Sequence, residues 1–144
     1  MIYLDSSLVV SLYCLDANSA EAVRRMQTDG RKFLISDLVE LEAVNAFRLK
    51  EFRKEITSKQ AEASFRKFES ALASGIFQRQ SLPQMAFKRA GQLSRHLTAK
   101  LGTRTADILH VAAALELGAT SFFSFDLQQR KMAEESGLKV NPWP

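Results

Sequence analysis

Asp5 closes the short apolar run IYL, Asp37 follows FLIS, Asp126 follows SFFSF, and Asp107 lies near the start of the stretch RTADILHVAAALELG. An acid between a strand and a helix has two uses. It caps the helix by accepting backbone N–H bonds, or it joins other acids outside the carboxyl ends of a parallel sheet, where open α/β folds bind their ligands. The chain holds one Cys and two His, so a cluster drawn from these acids would be an all-oxygen site. Such a site suits the hard cations Mg²⁺ or Mn²⁺ rather than zinc. A cation held there can lower the pKa of a water and offset charge on a phosphate.

The capping use accounts for some of these acids. In SDLVELEAVNAFRLK, Asp37 and Glu40 have the spacing of a capping box, and so do Asp126 and Gln129 in FDLQQ. Glu42 has no such explanation. At 100° per residue, Leu38, Leu41, Leu49 and Phe52 form one stripe that includes Glu42 and Asn45, with Glu40 pointing the opposite way. An inward carboxylate is costly unless it is used or snorkels to water from the stripe's edge. Val44 and Phe47 make a second apolar patch on the same segment, either a partner surface or ordinary packing. Asp107 shares a face with Arg104, Val111 and Ala114 close to a helix start, where Thr103 or Thr105 can cap and the dipole favours an ionised acid. His110, beside Ala and Val, reads as a packing residue without a catalytic task.

The elements that must position these groups follow from the hydrophobic period. Short apolar runs (IYL, KFLI, GIFQR, SFFSF, LKV) alternate with helically spaced stretches, and Gly30, Gly75, Gly118 and Gly137 punctuate them. Helices are predicted at about 6 to 14, 18 to 28, 37 to 54, 58 to 73, 84 to 98, 104 to 117 and 127 to 136. Alternating β and α units imply an α/β fold, a parallel sheet of about four or five strands with helices on both faces. With 144 residues, 46% of them hydrophobic, one domain over 1–144 is expected, with a proper core. Pro83 marks a helix start, and Pro142 and Pro144 mark the tail.

No uncharged apolar run approaches the ~18 residues of a membrane span, and the first residues carry Asp5 rather than a basic leader. The expectation is a cytoplasmic protein without membrane contact. Cys14 has no internal partner and sits in LVVSLYCL, where a thiol acts as a small core residue. The net charge is +4, and its distribution is uneven. Between Glu69 and Asp107 there is no acid, while Arg79, Lys88, Arg89, Arg95, Lys100 and Arg104 all fall there. Such a run is either a solvated helix face or a field that attracts phosphates.

Taken together, LDSS, LEAVNAF, RTADILHVAAALELGA and FFSFD before a helix ending in Gly resemble the PIN domain family, and in length and spacing its VapC-type toxins. The resemblance runs from Met1 to about Val140. It implies a three-layer α/β/α fold in which Asp5, Glu42, Asp107 and Asp126 are the catalytic acids that hold Mg²⁺ or Mn²⁺. Ser6 matches the Ser or Thr after the first Asp, and Asn45 and Arg104 match frequent neighbours of the site. It further implies an endoribonuclease cutting single-stranded RNA, commonly a homodimer, inhibited by a small antitoxin protein. The basic residues from Arg79 to Arg104 would then steer RNA toward a pocket whose acids repel it. Three other readings stay open: a phosphatase or phosphotransfer domain, for which LDSS lacks a paired Asp; an inactive module that only binds RNA or a partner; and a nuclease of RNA maturation without an antitoxin.

Overall fold

The computed structural model describes residues 1–141. Pro142 and Pro144, read above as marking the tail, lie outside the described residues. Five parallel strands form one sheet in the order β3-β2-β1-β4-β5. They are β1 (Ile2–Leu4), β2 (Phe33–Ser36), β3 (Phe77–Gln80), β4 (Ser121–Phe123) and β5 (Lys139–Val140). The helices are α1 (Ser6–Tyr13), α2 (Ser19–Thr28), α3 (Asp37–Phe52), α4 (Ser58–Ala73), α5 (Gln84–Leu93), α6 (Ala99–Leu101), α7 (Thr105–Glu116) and α8 (Leu127–Glu135). A π-helical turn, Ser94–Thr98, joins α5 to α6, so the helix expected at 84 to 98 is continuous in space but changes its winding. The expected α/β fold, with a parallel sheet flanked by helices, is the one observed.

Strand composition follows position in the sheet. Central strands of a parallel sheet are covered on both faces and are apolar throughout. β1 and β4 are accordingly buried at every residue, whereas the edge strand β3 buries Phe77 and exposes Gln78, Arg79 and Gln80. The chain leaves β1 for β2 on one side and later reaches β4 on the other. Between β1 and β4 the winding therefore reverses, the place where open α/β sheets leave a crevice at their carboxyl ends. Gly118, at φ 74°, closes α7 in a left-handed turn that residues with a Cβ adopt only at a cost. It turns the chain directly into β4, whose end faces that of β1. Cys14 is buried and unpaired, as expected of a core thiol.

Helix α3 packs differently from expectation. Leu41, Leu49 and Phe52, placed on the inward stripe above, are 65%, 40% and 82% exposed, while Val39, Ala43 and Phe47 are fully buried. Two apolar stripes run along this helix, and the narrower one faces the core because Phe47 stacks edge-on against Phe65 of α4 at 5.4 Å. Of the second patch, Phe47 belongs to the core and Val44 is exposed at 37%. Nor do Asp37 and Glu40 form a capping box. Ser36 holds the N-cap position without a side-chain capping bond, Asp37 accepts the Leu82 N–H at 2.8 Å, and Glu40 pairs with Arg79 of β3 at 2.5 Å. Both acids tie α3 to the end of the edge strand. Among the described residues no helix is long and apolar enough to cross a membrane.

Candidate active site

The carboxyl ends of β1 and β4, the first turns of α1, α7 and α8, and one residue of α3 enclose a cleft of about 410 Å³ lined by Asp5, Ser6, Ser7, Glu42, Arg104, Ala106, Asp107, Asp126 and Gln129. All four acids singled out from the sequence therefore share one wall-to-wall space, with Ser6 and Arg104 beside them. Asn45 is not among them. It lies nearly one turn beyond Glu42, where the outward rotation of α3 leaves it exposed.

Asp5 carries both of the roles open to it. It is the N-cap of α1, its Oδ1 accepting the Leu8 N–H at 3.2 Å and the Ser7 hydroxyl at 2.7 Å. Its Oδ2 accepts the Ser124 hydroxyl at 2.8 Å, and this bond crosses from β1 to the end of β4. Ser7 and Ser124 in turn accept the N–H groups of Phe125 and Asp126, at 3.0 and 2.8 Å. Asp5 thus organises the loop that presents Asp126. Burial pushes its carboxyl above the usual carboxylate range, against the pull of His110 and of these donors.

Glu42 lies at the edge of the buried face of α3, half-buried, and its Oε2 receives the Ser6 hydroxyl and His110 Nε2, each at 2.6 Å. Desolvation opposes its ionisation, but the hydrogen bond and charge of His110, with Ser6 and Arg104, outweigh burial and hold the carboxyl below its usual range. Asp107, in the first turn of α7, is 7% exposed. Gln129 Nε2 donates to its Oδ1 at 3.0 Å, and the exposed Arg104 reaches Oδ2 at 3.3 Å. Neither Thr103 nor Thr105 caps α7, whose N-cap position is Arg104 with no side-chain capping bond. Asp126 caps α8 by accepting the Gln128 and Gln129 N–H groups at 2.8 and 2.9 Å. The expected capping box is only half made, because the Gln129 side chain turns to Asp107 instead.

Among the described residues, no three acids, histidines or thiols stand close enough together to form a ready coordination group. The donor set nevertheless fits a hard cation. Hydrogen bonds occupy Glu42 Oε2 and Asp126 Oδ1 and leave the second oxygen of each without a donor among the described residues. Gln129 Oε1, at the same cleft, is buried without a partner among the described residues, an arrangement that costs free energy until a donor or cation satisfies it.

Four groups here have more to do than the sequence suggests: Gln129 reads there only as a capping residue, and Ser124 and Tyr3, whose hydroxyl lies 3.1 Å from His110 Nδ1, as ordinary strand positions. His110, read as packing, is fully buried but also hydrogen-bonded to Glu42. Its spacing from Asp107, three residues along a helix, was the available signal, since such a pair shares a face.

The basic segment is compensated in space although not along the chain. Arg79 pairs with Glu40, Arg89 with Glu116 at 2.8 Å, Lys100 with Glu135 at 2.7 Å, and Arg104 with Asp107. Of the six cations, Lys88 and Arg95 alone have no ion pair among the described residues, and both are exposed.

Solved structures of similar fold include VapC20 of Mycobacterium tuberculosis, a sarcin-ricin loop cleaving toxin. It is 19% identical with a TM-score of 0.69, over 99% of this chain and 100% of that one. VapBC2 of Rickettsia felis, bound to a DNA fragment from its promoter, is 17% identical with a TM-score of 0.68, each chain being covered completely. FitAcB of Neisseria gonorrhoeae is 15% identical with a TM-score of 0.72, over 97% of this chain and 96% of that one. No curated protein sequence matches. The PIN domain family model does match, over residues 2–135, a span that takes in β1 through α8 and every acid of the cleft; the chain belongs to the PIN domain family.

Proposed function

We propose that this protein is a metal-dependent endoribonuclease that cuts single-stranded RNA, and that it is the toxin of a type II toxin–antitoxin pair. The observation that carries the nuclease reading is the convergence of Asp5, Glu42, Asp107 and Asp126 on one cleft at the sheet's switch point. The toxin reading draws on the likeness to VapC20 and to toxins solved as VapBC complexes. Glu42, Asp107 and Asp126, with Asp5 behind them, would hold Mg²⁺ or Mn²⁺. When bound, the cation supplies an activated water and offsets charge on the scissile phosphate.

The chain's own residues do the rest. Ser6 and His110 donate to one oxygen of Glu42 and leave the other for a cation. Gln129 fixes Asp107, and Asp5 fixes the loop of Asp126. Arg104, 83% exposed at the rim, is placed to meet a phosphate. Apolar side chains exposed on α3, Leu41, Val44 and Phe52, offer a surface to an antitoxin or to a second copy in a homodimer.

Attack by water on the phosphorus with the 3′-oxygen as leaving group leaves 5′-phosphate and 3′-hydroxyl ends, whereas attack by a ribose 2′-hydroxyl with loss of the 5′-oxygen leaves a 2′,3′-cyclic phosphate and a 5′-hydroxyl. Incubation with circular single-stranded RNA should therefore give linear products with 5′-phosphate ends. An uncut circle, or cyclic phosphate ends, would contradict the reading. Co-expression with the product of the neighbouring gene tests the antitoxin.

With four of its six cations paired to acids, the basic segment supports Lys88 and Arg95 as the residues that would steer RNA. Replacing Lys88 and Arg95 together by Gln should weaken RNA binding and flatten its dependence on salt by up to about two units of log–log slope, since each phosphate contact releases about one counterion. Replacing Arg89 and Lys100, already neutralised by Glu116 and Glu135, should change the slope less. Equal slopes for the two double variants would place the RNA elsewhere.

A further inference from the structure

A chain of buried hydrogen bonds runs from the sheet to the cleft. Ser36 Oγ lies 2.7 Å from the Tyr3 hydroxyl, Tyr3 lies 3.1 Å from His110 Nδ1, and His110 Nε2 lies 2.6 Å from Glu42 Oε2. Ser36, Tyr3 and His110 are all fully buried, at the end of β2, in the central strand β1 and on α7. Phe122 of β4 stacks on the Tyr3 ring at 5.6 Å with the planes 8° apart, which fixes the phenol in place.

Donor and acceptor roles follow from the end of the chain. The Glu42 carboxylate can only accept, so His110 Nε2 carries the hydrogen. In the neutral ring Nδ1 is then an acceptor, which takes the Tyr3 hydroxyl hydrogen, and Tyr3 in turn accepts from Ser36. With a neutral ring every polar atom of this relay is satisfied; in the imidazolium Nδ1 would donate to Tyr3 and Tyr3 to Ser36, and in both cases the Nε2 hydrogen is held on Glu42 Oε2. A half-buried glutamate has three rotatable bonds to immobilise, and Ser6 alone, on a single hydroxyl rotor, does not fix its plane. His110 supplies the second donor to the same oxygen.

We propose that Tyr3 and His110 are positioning residues for the site: the Ser36–Tyr3–His110 relay locks the imidazole so that it pins Glu42 Oε2 and presents Oε1 to a divalent cation in the cleft. This rests on the metal-dependent reading above. Partners of metal ligands orient them, and losing one lowers metal affinity or activity by roughly ten- to a hundredfold. Tyr3 acts one bond further away, so its loss costs less than that of His110.

The test is Mn²⁺ binding by electron paramagnetic resonance on wild type, His110→Leu, His110→Gln and Tyr3→Phe. RNA cleavage is measured alongside, and nitrogen NMR of histidine-labelled protein reads the His110 tautomer. Expected are an Nε2-protonated His110 in wild type and an Mn²⁺ affinity about ten- to a hundredfold weaker in His110→Leu. Gln, whose amide can donate to Glu42, should restore most of it, and Tyr3→Phe, the mildest change to the core, should lose part. A purely structural His110 would change melting temperature without this rescue. The relay is overturned by unchanged Mn²⁺ affinity in both His110→Leu and Tyr3→Phe, by a glutamine no better than leucine, or by a ring protonated at Nδ1 alone. It is overturned also if wild type binds no Mn²⁺. Wild type that binds Mn²⁺ in the predicted order of variants but leaves RNA intact upholds the relay and removes the nuclease reading alone.

Discussion

Asp107→Asn should reduce RNA cleavage by more than about a hundredfold, beyond the loss typical of a residue that merely orients a ligand, while the protein stays folded. The structure makes this acid the cleanest one to remove. Asn retains an oxygen for the Gln129 amide that now donates to Asp107 at 3.0 Å, and the partner lost, Arg104, is 83% exposed at 3.3 Å. An ion pair that exposed adds little to stability. The substitution thus removes negative charge from the cleft with little structural cost. Cleavage rates under single-turnover conditions, with a thermal melt of the same preparation, check both halves. Activity within a few-fold of wild type would mean that Asp107 is held in the cleft for structural reasons only.

The second large effect is on stability and falls on Asp5. Asp5→Ala removes the cap of α1, worth about 0.5–2 kcal/mol. It also leaves the Ser7 and Ser124 hydroxyls without their acceptor, and an unsatisfied buried group costs about 1–3 kcal/mol. Ser124 is fully buried, so its loss is not made good by water. A total of about 2–4 kcal/mol is expected, which lowers the melting temperature by roughly 10 °C in a domain of this size. Asp5→Asn should lose much less, because Asn caps about as well as Asp and sheds the cost of a fully buried charge. Denaturant melts of wild type and both variants without metal decide this. Equal melting points for Ala and wild type would remove Asp5 from the framework of the cleft.

These two acids also show what the sequence discloses and what it hides. Strands of a parallel sheet announce themselves as short apolar runs, and an acid just past such a run lands at the carboxyl edge whatever the details of packing, so the placement of Asp5 and Asp126 was legible. Asp107 was legible for a similar reason, as the first charged residue inside a strongly apolar helix. The inward face of α3 was not. Leu41, Leu49 and Phe52 outweigh Val39, Ala43 and Phe47 in apolar bulk, and only the position of α4 behind Phe47 decides which stripe is covered. Glu42 thus reaches the cleft from a stripe that is mostly exposed, and Asn45 lies outside the cleft with the rest of that stripe.

Charge pairing was hidden for a different reason. A stretch without acids looks uncompensated along the chain, but β3, α5 and α6 bring Arg79, Arg89 and Lys100 against acids of α3, α7 and α8. Partners at sequence separations of 27 to 39 residues leave no local trace. The same holds for His110, whose contacts with Tyr3 and Glu42 bridge 107 and 68 residues. Function and fold are coupled through these long-range bonds: the groups that tie β1, β4, α3 and α7 together are also those that set the acids around the cleft.

Single-stranded RNA incubated with wild-type protein in Mn²⁺, in Mg²⁺ and in excess EDTA is the most direct measurement. Internal cuts should appear with either cation, vanish in EDTA, return when Mn²⁺ is restored, and stay absent for Asp107→Asn throughout. Cleavage by wild type that persists undiminished in excess EDTA would contradict a nuclease built on four acids and a divalent cation.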